Sequence, residues 1–143
     1  MSYDLKITNG DLVLENGDLK KVQDSEKLIQ DILKVCLTPV GANPMYPWYG
    51  SMISRSIIGS AIDPDILINI GKSQLISSLE NLKTLQENQI KKRQRMTVDE
   101  QIASILSVEI KQNTSDFRLY SVLIRVISKG FKPVTTSFNI STI

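Results

Sequence analysis

The chain has 143 residues and a mass of 16.0 kDa, one domain's worth, and its 41% apolar and 22% charged residues are ordinary for a globular protein. It has no histidine and one cysteine, which excludes histidine-based nucleophilic catalysis, histidine metal centres, an intrachain disulfide and cysteine-cluster metal sites. A net charge of +2 is too small for the basic stripe of a nucleic-acid binder, and no apolar run is long enough to span a membrane, so neither partner is expected, nor any cofactor.

The opening Met1-Ser2-Tyr3-Asp4-Leu5 lacks the basic-then-apolar layout of a signal peptide, so a reducing compartment, or a particle assembled there, is expected. Asn9-Gly10-Asp11-Leu12 recurs seven residues later as Asn16-Gly17-Asp18-Leu19. Asn-Gly pairs tolerate positive φ and suit tight turns between strands. With Leu5, Ile7, Leu12-Val13-Leu14, Leu19 and Val22 between them, the pattern predicts a small β-meander of five-residue strands within residues 1–23. The aspartates lack the spacing and closing glutamate of a calcium loop.

A helix is predicted over 25–37, with Ser25 as N-cap, Glu26 in the first turn and an apolar face of Leu28, Ile29, Ile32, Leu33, Val35 and Cys36. Cys36 reads as a small buried apolar residue. Thr38-Pro39-Val40-Gly41 stops the helix, and Pro44, Pro47 and Gly50 follow. Met45, Tyr46, Trp48 and Tyr49 lie among them, in a loop (38–50) that either folds over the core or presents aromatics to a partner. A short helix is expected over 51–59. Asp63-Pro64 then opens a long one, with Asp63 as N-cap and apolar spacing from Ile66 through Leu75, Leu79 and Leu82 to Gln86. It ends in Lys91-Lys92-Arg93-Gln94-Arg95, which suits a solvated helix C-terminus, or the binding of phosphate or an acidic partner.

Thr97-Val98-Asp99-Glu100 is a capping box that starts a helical turn reaching Ala103. Beyond it the period drops to two. Ile105–Lys111, Phe117–Ser128 and Phe131–Ile143 read as strands, and residues 104–143 as a C-terminal antiparallel sheet. Tyr120, Val122, Ile124 and Val126 on one face, with Phe117, Leu119, Leu123 and Ile127 on the other, predict a central strand covered on both sides. Lys129-Gly130 supplies a turn, and Pro133 marks the last strand as an edge that invites pairing with another chain. The expected class is α+β, a single unit over 1–143 with residues 24–103 mainly helical. No phosphate-binding loop is present, and Glu100 and Glu109 show no spacing that sets them across a cleft, so no enzyme is expected.

The order of these features resembles the small baseplate wedge proteins, or sheath initiators, of contractile-tailed bacteriophages, a family with a relative in type VI secretion baseplates. Leu37-Thr38-Pro39-Val40-Gly41 followed by Pro47-Trp48-Tyr49-Gly50 is the specific part. Glu100 ahead of Ser107-Val108-Glu109-Ile110 and two further strands completes it, over about residues 4–140. Where the family has Glu-Pro-Arg, this chain has Glu100-Gln101-Ile102. The stretch from Leu82 to Met96 is longer than the family needs. The resemblance implies a virion protein in the tail baseplate, assembled in the host cytoplasm, in several copies, six by family analogy. It would join wedge subunits to the first sheath ring and template sheath assembly by strand addition. On that reading Val134, Thr136, Phe138 and Ile140 meet sheath. Glu100, Trp48, Tyr49, Lys91, Lys92, Arg93 and Arg95 meet wedge proteins or the tail tube. An adaptor in a tail without sheath, or a peptidoglycan hydrolase, are the alternatives.

Overall fold

Two Asn-Gly turns shape the N-terminal unit of the computed structural model, which describes residues 3–53 and 63–141. Asn9, Gly10, Asn16 and Gly17 all carry positive φ, as two-residue hairpin turns require. Across those turns β2 (Ile7–Thr8) pairs with β3 (Asp11–Leu12), and β4 (Leu14–Glu15) with β5 (Asp18–Leu19). β1 (Asp4–Leu5) pairs with β6 (Lys21–Val22), which closes the ring. Main-chain bonds from Lys6 N–H to Lys20 O, Val13 N–H to Lys6 O and Lys20 N–H to Val13 O tie the centre at 2.8, 3.1 and 2.8 Å.

The two predicted hairpins are there, and the pairing of the outer strands adds a closure that a meander does not require. The repeat has a third copy: Asp4-Leu5, Asp11-Leu12 and Asp18-Leu19 are evenly spaced. The third copy ends in Gln23-Asp24 where the others have Asn-Gly, and Asp24 supplies a φ of 52°. Each predicted five-residue strand is divided between two partners.

Helix α1 spans Asp24–Leu37. Its N-cap is Gln23, without a side-chain bond, and Ser25 lies inside the helix rather than capping it. The Asp24 carboxylate instead accepts a bond from Thr97 Oγ1 at 2.7 Å. Leu28, Ile32, Val35 and Cys36 are buried as expected. Helix α2 spans Pro64–Lys91, with Asp63 Oδ1 accepting from Asp65 N–H at 3.0 Å. From residue 54 onward the helix expected over 51–59 lies outside the described residues.

After a 3₁₀ turn at Val98–Glu100 come β7 (Ile102–Gln112), β8 (Leu119–Ser128) and β9 (Pro133–Ser141), an antiparallel sheet in the order β7-β8-β9. The fold is α+β. α2 packs chiefly on β7 and α1 on β9, both on the same sheet face. Leu75, Leu79 and Leu82 meet Ile102, Val108, Ile110, Val122, Ile124 and Val126 in the core. β8 is central, but the described helices cover only this face. Leu119, Leu123 and Ile127 stay half-exposed on the other, against the expectation of two covered faces.

β7 starts three residues earlier than predicted, at Ile102 instead of after a turn to Ala103. The cause is Gln86, 2% exposed on α2. Its Oε1 accepts the Ile102 N–H and its Nε2 donates to the Glu100 carbonyl, both at 2.9 Å. Gln30 on α1 does the same for the N-terminal unit. Its Oε1 accepts the Ile7 N–H at 2.9 Å, and its Nε2 donates to Leu5 O at 2.8 Å and Asp4 Oδ2 at 3.1 Å.

Candidate functional site

Two surfaces carry the predicted contact residues. The first is the edge of β9. It pairs with β8 over nine consecutive positions without a bulge, from Ile127–Pro133 to Leu119–Ser141. Among the described residues nothing pairs with its other side. No residue from Pro133 to Ser141 is charged. The opposite edge, β7, is broken by two register shifts, between Ile102 and Ser104 and between Ile105 and Ser107, and carries Glu109 and Lys111. Bulges and charges blunt an edge against pairing. β9 is the regular, uncharged edge.

Val134, Thr136 and Ile140 are buried and Phe138 is packed against the core, so their side chains anchor β9 rather than face a partner. Antiparallel pairing alternates main-chain direction along a strand. Pro133 has no N–H to give β8, so Thr135, Ser137 and Asn139 share its phase and turn their main-chain groups outward. What the edge offers is main chain, at residues the side-chain pattern does not point to.

The second surface joins the 38–50 loop to the end of α2. The loop is closed at its base by Ser51 N–H to Thr38 O (2.8 Å), Val40 N–H to Ser51 O (3.2 Å) and Ser51 Oγ to Cys36 O (2.6 Å). Gly50 has φ of 117°, and a Cβ there would collide with the Thr38 carbonyl, so only glycine fits. The aromatics of the loop divide between core and surface. Tyr49 is half-buried against the core, where burial first and the nearby Asp31 and Cys36 next push its phenol up to about 12. Burial likewise pushes the Cys36 thiol to about 12, which leaves it an inert thiol. Trp48 is 43% exposed and meets Tyr46 edge to face, with ring centroids 5.9 Å apart.

These two rings form one wall of an open groove of about 180 Å³. Leu85, Asn88 and Gln89 of α2 form the other, and Lys92 and Gln94 its end. Lys91, Arg93 and Arg95 are exposed beside it, and none of the four cations forms an ion pair among the described residues. The fold thus brings Trp48 and the basic cluster together.

Glu100 is not part of either surface. It is 0% exposed, and its Oε2 accepts the Thr97 N–H at 3.4 Å in the predicted capping box. Its Oε1 has no hydrogen-bond partner among the described residues. A side chain enclosed in this way cannot touch another subunit, which corrects its assignment as a contact. Glu109 lies mid-way along β7 opposite Leu123, on the uncovered sheet face, and the two carboxyls do not share a cleft. Among the described residues no three potential metal ligands cluster, and no helix is long and apolar enough to cross a membrane.

No protein-family model matches the chain, and no curated protein matches it. A solved structure does: a protein of Geobacter sulfurreducens described as a "putative tail lysozyme". It superposes with a TM-score of 0.60 at 15% identity, over 93% of this chain and 97% of that one. The two chains share a fold.

Proposed function

We propose that the chain is a structural, non-catalytic component of a phage-type tail baseplate that links wedge subunits to the first sheath ring and templates sheath assembly by accepting a sheath strand along β9. The observation that carries this reading is the unbulged, uncharged edge of β9, which from Pro133 to Ile140 pairs with no second strand among the described residues. The tail origin of the fold neighbour and the motif order of the sequence support it. Strand addition gives affinity through main-chain bonds, each worth about 1 kcal/mol net, and several copies around a tail would act together.

Ser137→Pro tests it. Proline there removes one outward N–H and leaves the β8 ladder intact. Thr136→Pro, one residue away, would break that ladder and unfold the sheet. Wild-type protein mixed with the sheath protein of the same tail should seed sheath polymers, and Ser137→Pro should fold but fail to seed. Normal seeding by Ser137→Pro contradicts pairing along β9.

The fold neighbour's description raises hydrolysis as a second reading. Purified protein tested on cell-wall material, beside Glu109→Gln, decides it. Lysis by the wild type that the variant loses contradicts a purely structural role.

A further inference from the structure

We propose that the groove between Trp48 and the end of α2 is a docking site for an acidic, extended peptide segment of a partner subunit. This deepens the reading above by giving the wedge-side contact its chemistry, and it rests on that reading.

Charge is the first argument. The protein carries a net charge of only +2, yet Lys91, Lys92, Arg93 and Arg95 stand together without an anionic partner among the described residues. Backbone geometry is the second. α2 ends with Arg93 N–H bonded to Ile90 O at 2.9 Å and Gln94 N–H to Gln89 O at 3.0 Å, the paired bonds of a Schellman cap. Such caps place their left-handed residue where glycine is favoured, and here that residue is Arg93, at φ 62°. The chain holds a long cationic side chain at a position where glycine would be more stable. Non-glycine residues in this region concentrate at functional sites.

The lining selects the class of anion. Asn88, Gln89 and Gln94 offer side-chain amides without hydrogen bonds among the described residues. Each amide both donates and accepts, which matches a peptide main chain. A phosphate backbone supplies only acceptors. Trp48, Tyr46 and Leu85 add apolar surface for one side chain of the segment. The groove is too small for a stacked nucleotide run, and of the four cations only Lys92 lines it.

Trp48 is the only tryptophan and lies in the wall, so its fluorescence reports on this groove. The probe is a synthetic peptide in which glutamate alternates with leucine. It should change Trp48 emission saturably, and its glutamine-leucine counterpart should not. Lys92→Glu combined with Arg95→Glu should weaken binding roughly tenfold or more, and Lys111→Glu, at the other end of β7, should not. Arg93→Gly should weaken binding while raising the thermal midpoint, a divergence that a purely structural role would not give. The proposal is overturned by no Trp48 response to the acidic peptide, by equal binding of the glutamine peptide, or by tighter binding of oligothymidylate or anionic phospholipid vesicles. The assay needs neither sheath nor β9, and Ser137→Pro should bind the peptide as the wild type does. Wild-type protein that binds the peptide while Ser137→Pro still seeds sheath counts against the edge alone; wild-type protein that seeds sheath but does not bind the peptide counts against the groove alone.

Discussion

At Arg93 and Phe131 the chain sets bulky side chains where backbone geometry favours glycine. Phe131 has φ 61° and is 90% exposed, in the turn closed by its N–H to Ser128 O at 3.0 Å. The neighbouring Gly130 was expected to supply the turn's flexibility. Its φ is not left-handed, and a Cβ there would meet the Asp99 carboxylate and displace that side chain. Sequence shows neither fact, because left-handed positions announce themselves only through glycine and asparagine, as at Asn9-Gly10 and Asn16-Gly17. Arg93→Gly is expected to stabilise the protein by about 1 kcal/mol. In a domain of this size that raises Tm by roughly 3–5 °C, read by calorimetry. An unchanged or lower Tm contradicts strain at the cap.

Among elements, the recurring device is a buried glutamine that binds β main chain from a helix. Gln30 holds the N-terminal unit and Gln86 holds the start of β7. The helical period was legible, because Leu28, Ile32, Leu75, Leu79 and Leu82 form plain apolar stripes. The two amides were not, since a polar residue on a stripe gives no sign of which main chain it will meet. Gln86→Leu leaves the Glu100 carbonyl and the Ile102 N–H buried and unpaired. A loss of about 2–4 kcal/mol in a denaturant titration is expected, against near-neutrality for half-buried Gln89→Leu, whose amide has no bond among the described residues.

The N-terminal unit adds a pH-dependent tie. Burial pushes the Asp4 carboxyl up, but hydrogen bonds from Lys34 and the Leu5 N–H outweigh it and hold the group below its ordinary 3.8. A carboxyl held low in the fold stabilises above its unfolded pKa and loses that contribution as pH falls through the folded value. Asp31 runs the other way: burial raises its pKa despite Lys27 at 2.9 Å, so acid does not cost the fold its contribution. Below about pH 3.8 the Ile7 amide, bonded to Gln30, should therefore exchange faster, and Asp4→Asn should abolish that acid-induced step.

For the molecule as a whole, the helices lie on one face of a three-stranded sheet, with a regular edge at β9 and a basic, aromatic groove at the far end of α2. The absence of histidine first reads as an exclusion of chemistry, and it also means that this subunit brings no histidine titration to assembly between about pH 5 and 8. The alternation in 131–143 and Pro133 made the edge legible. It misdirected the choice of residues, because alternation finds the side chains that face the core, whereas strand addition uses the main chain between them. Loop and helix end meet only in three dimensions, about 45 residues apart in sequence, and no local pattern records that.

Residue-resolved hydrogen exchange on the chain, free and bound to sheath protein, tests the central proposal most directly. The outward amides of Thr135, Ser137 and Asn139 should exchange quickly in the free protein and become protected on binding, while Thr136 and Phe138 are protected in both. If those three amides exchange as fast in the complex as in the free chain, sheath does not pair along β9.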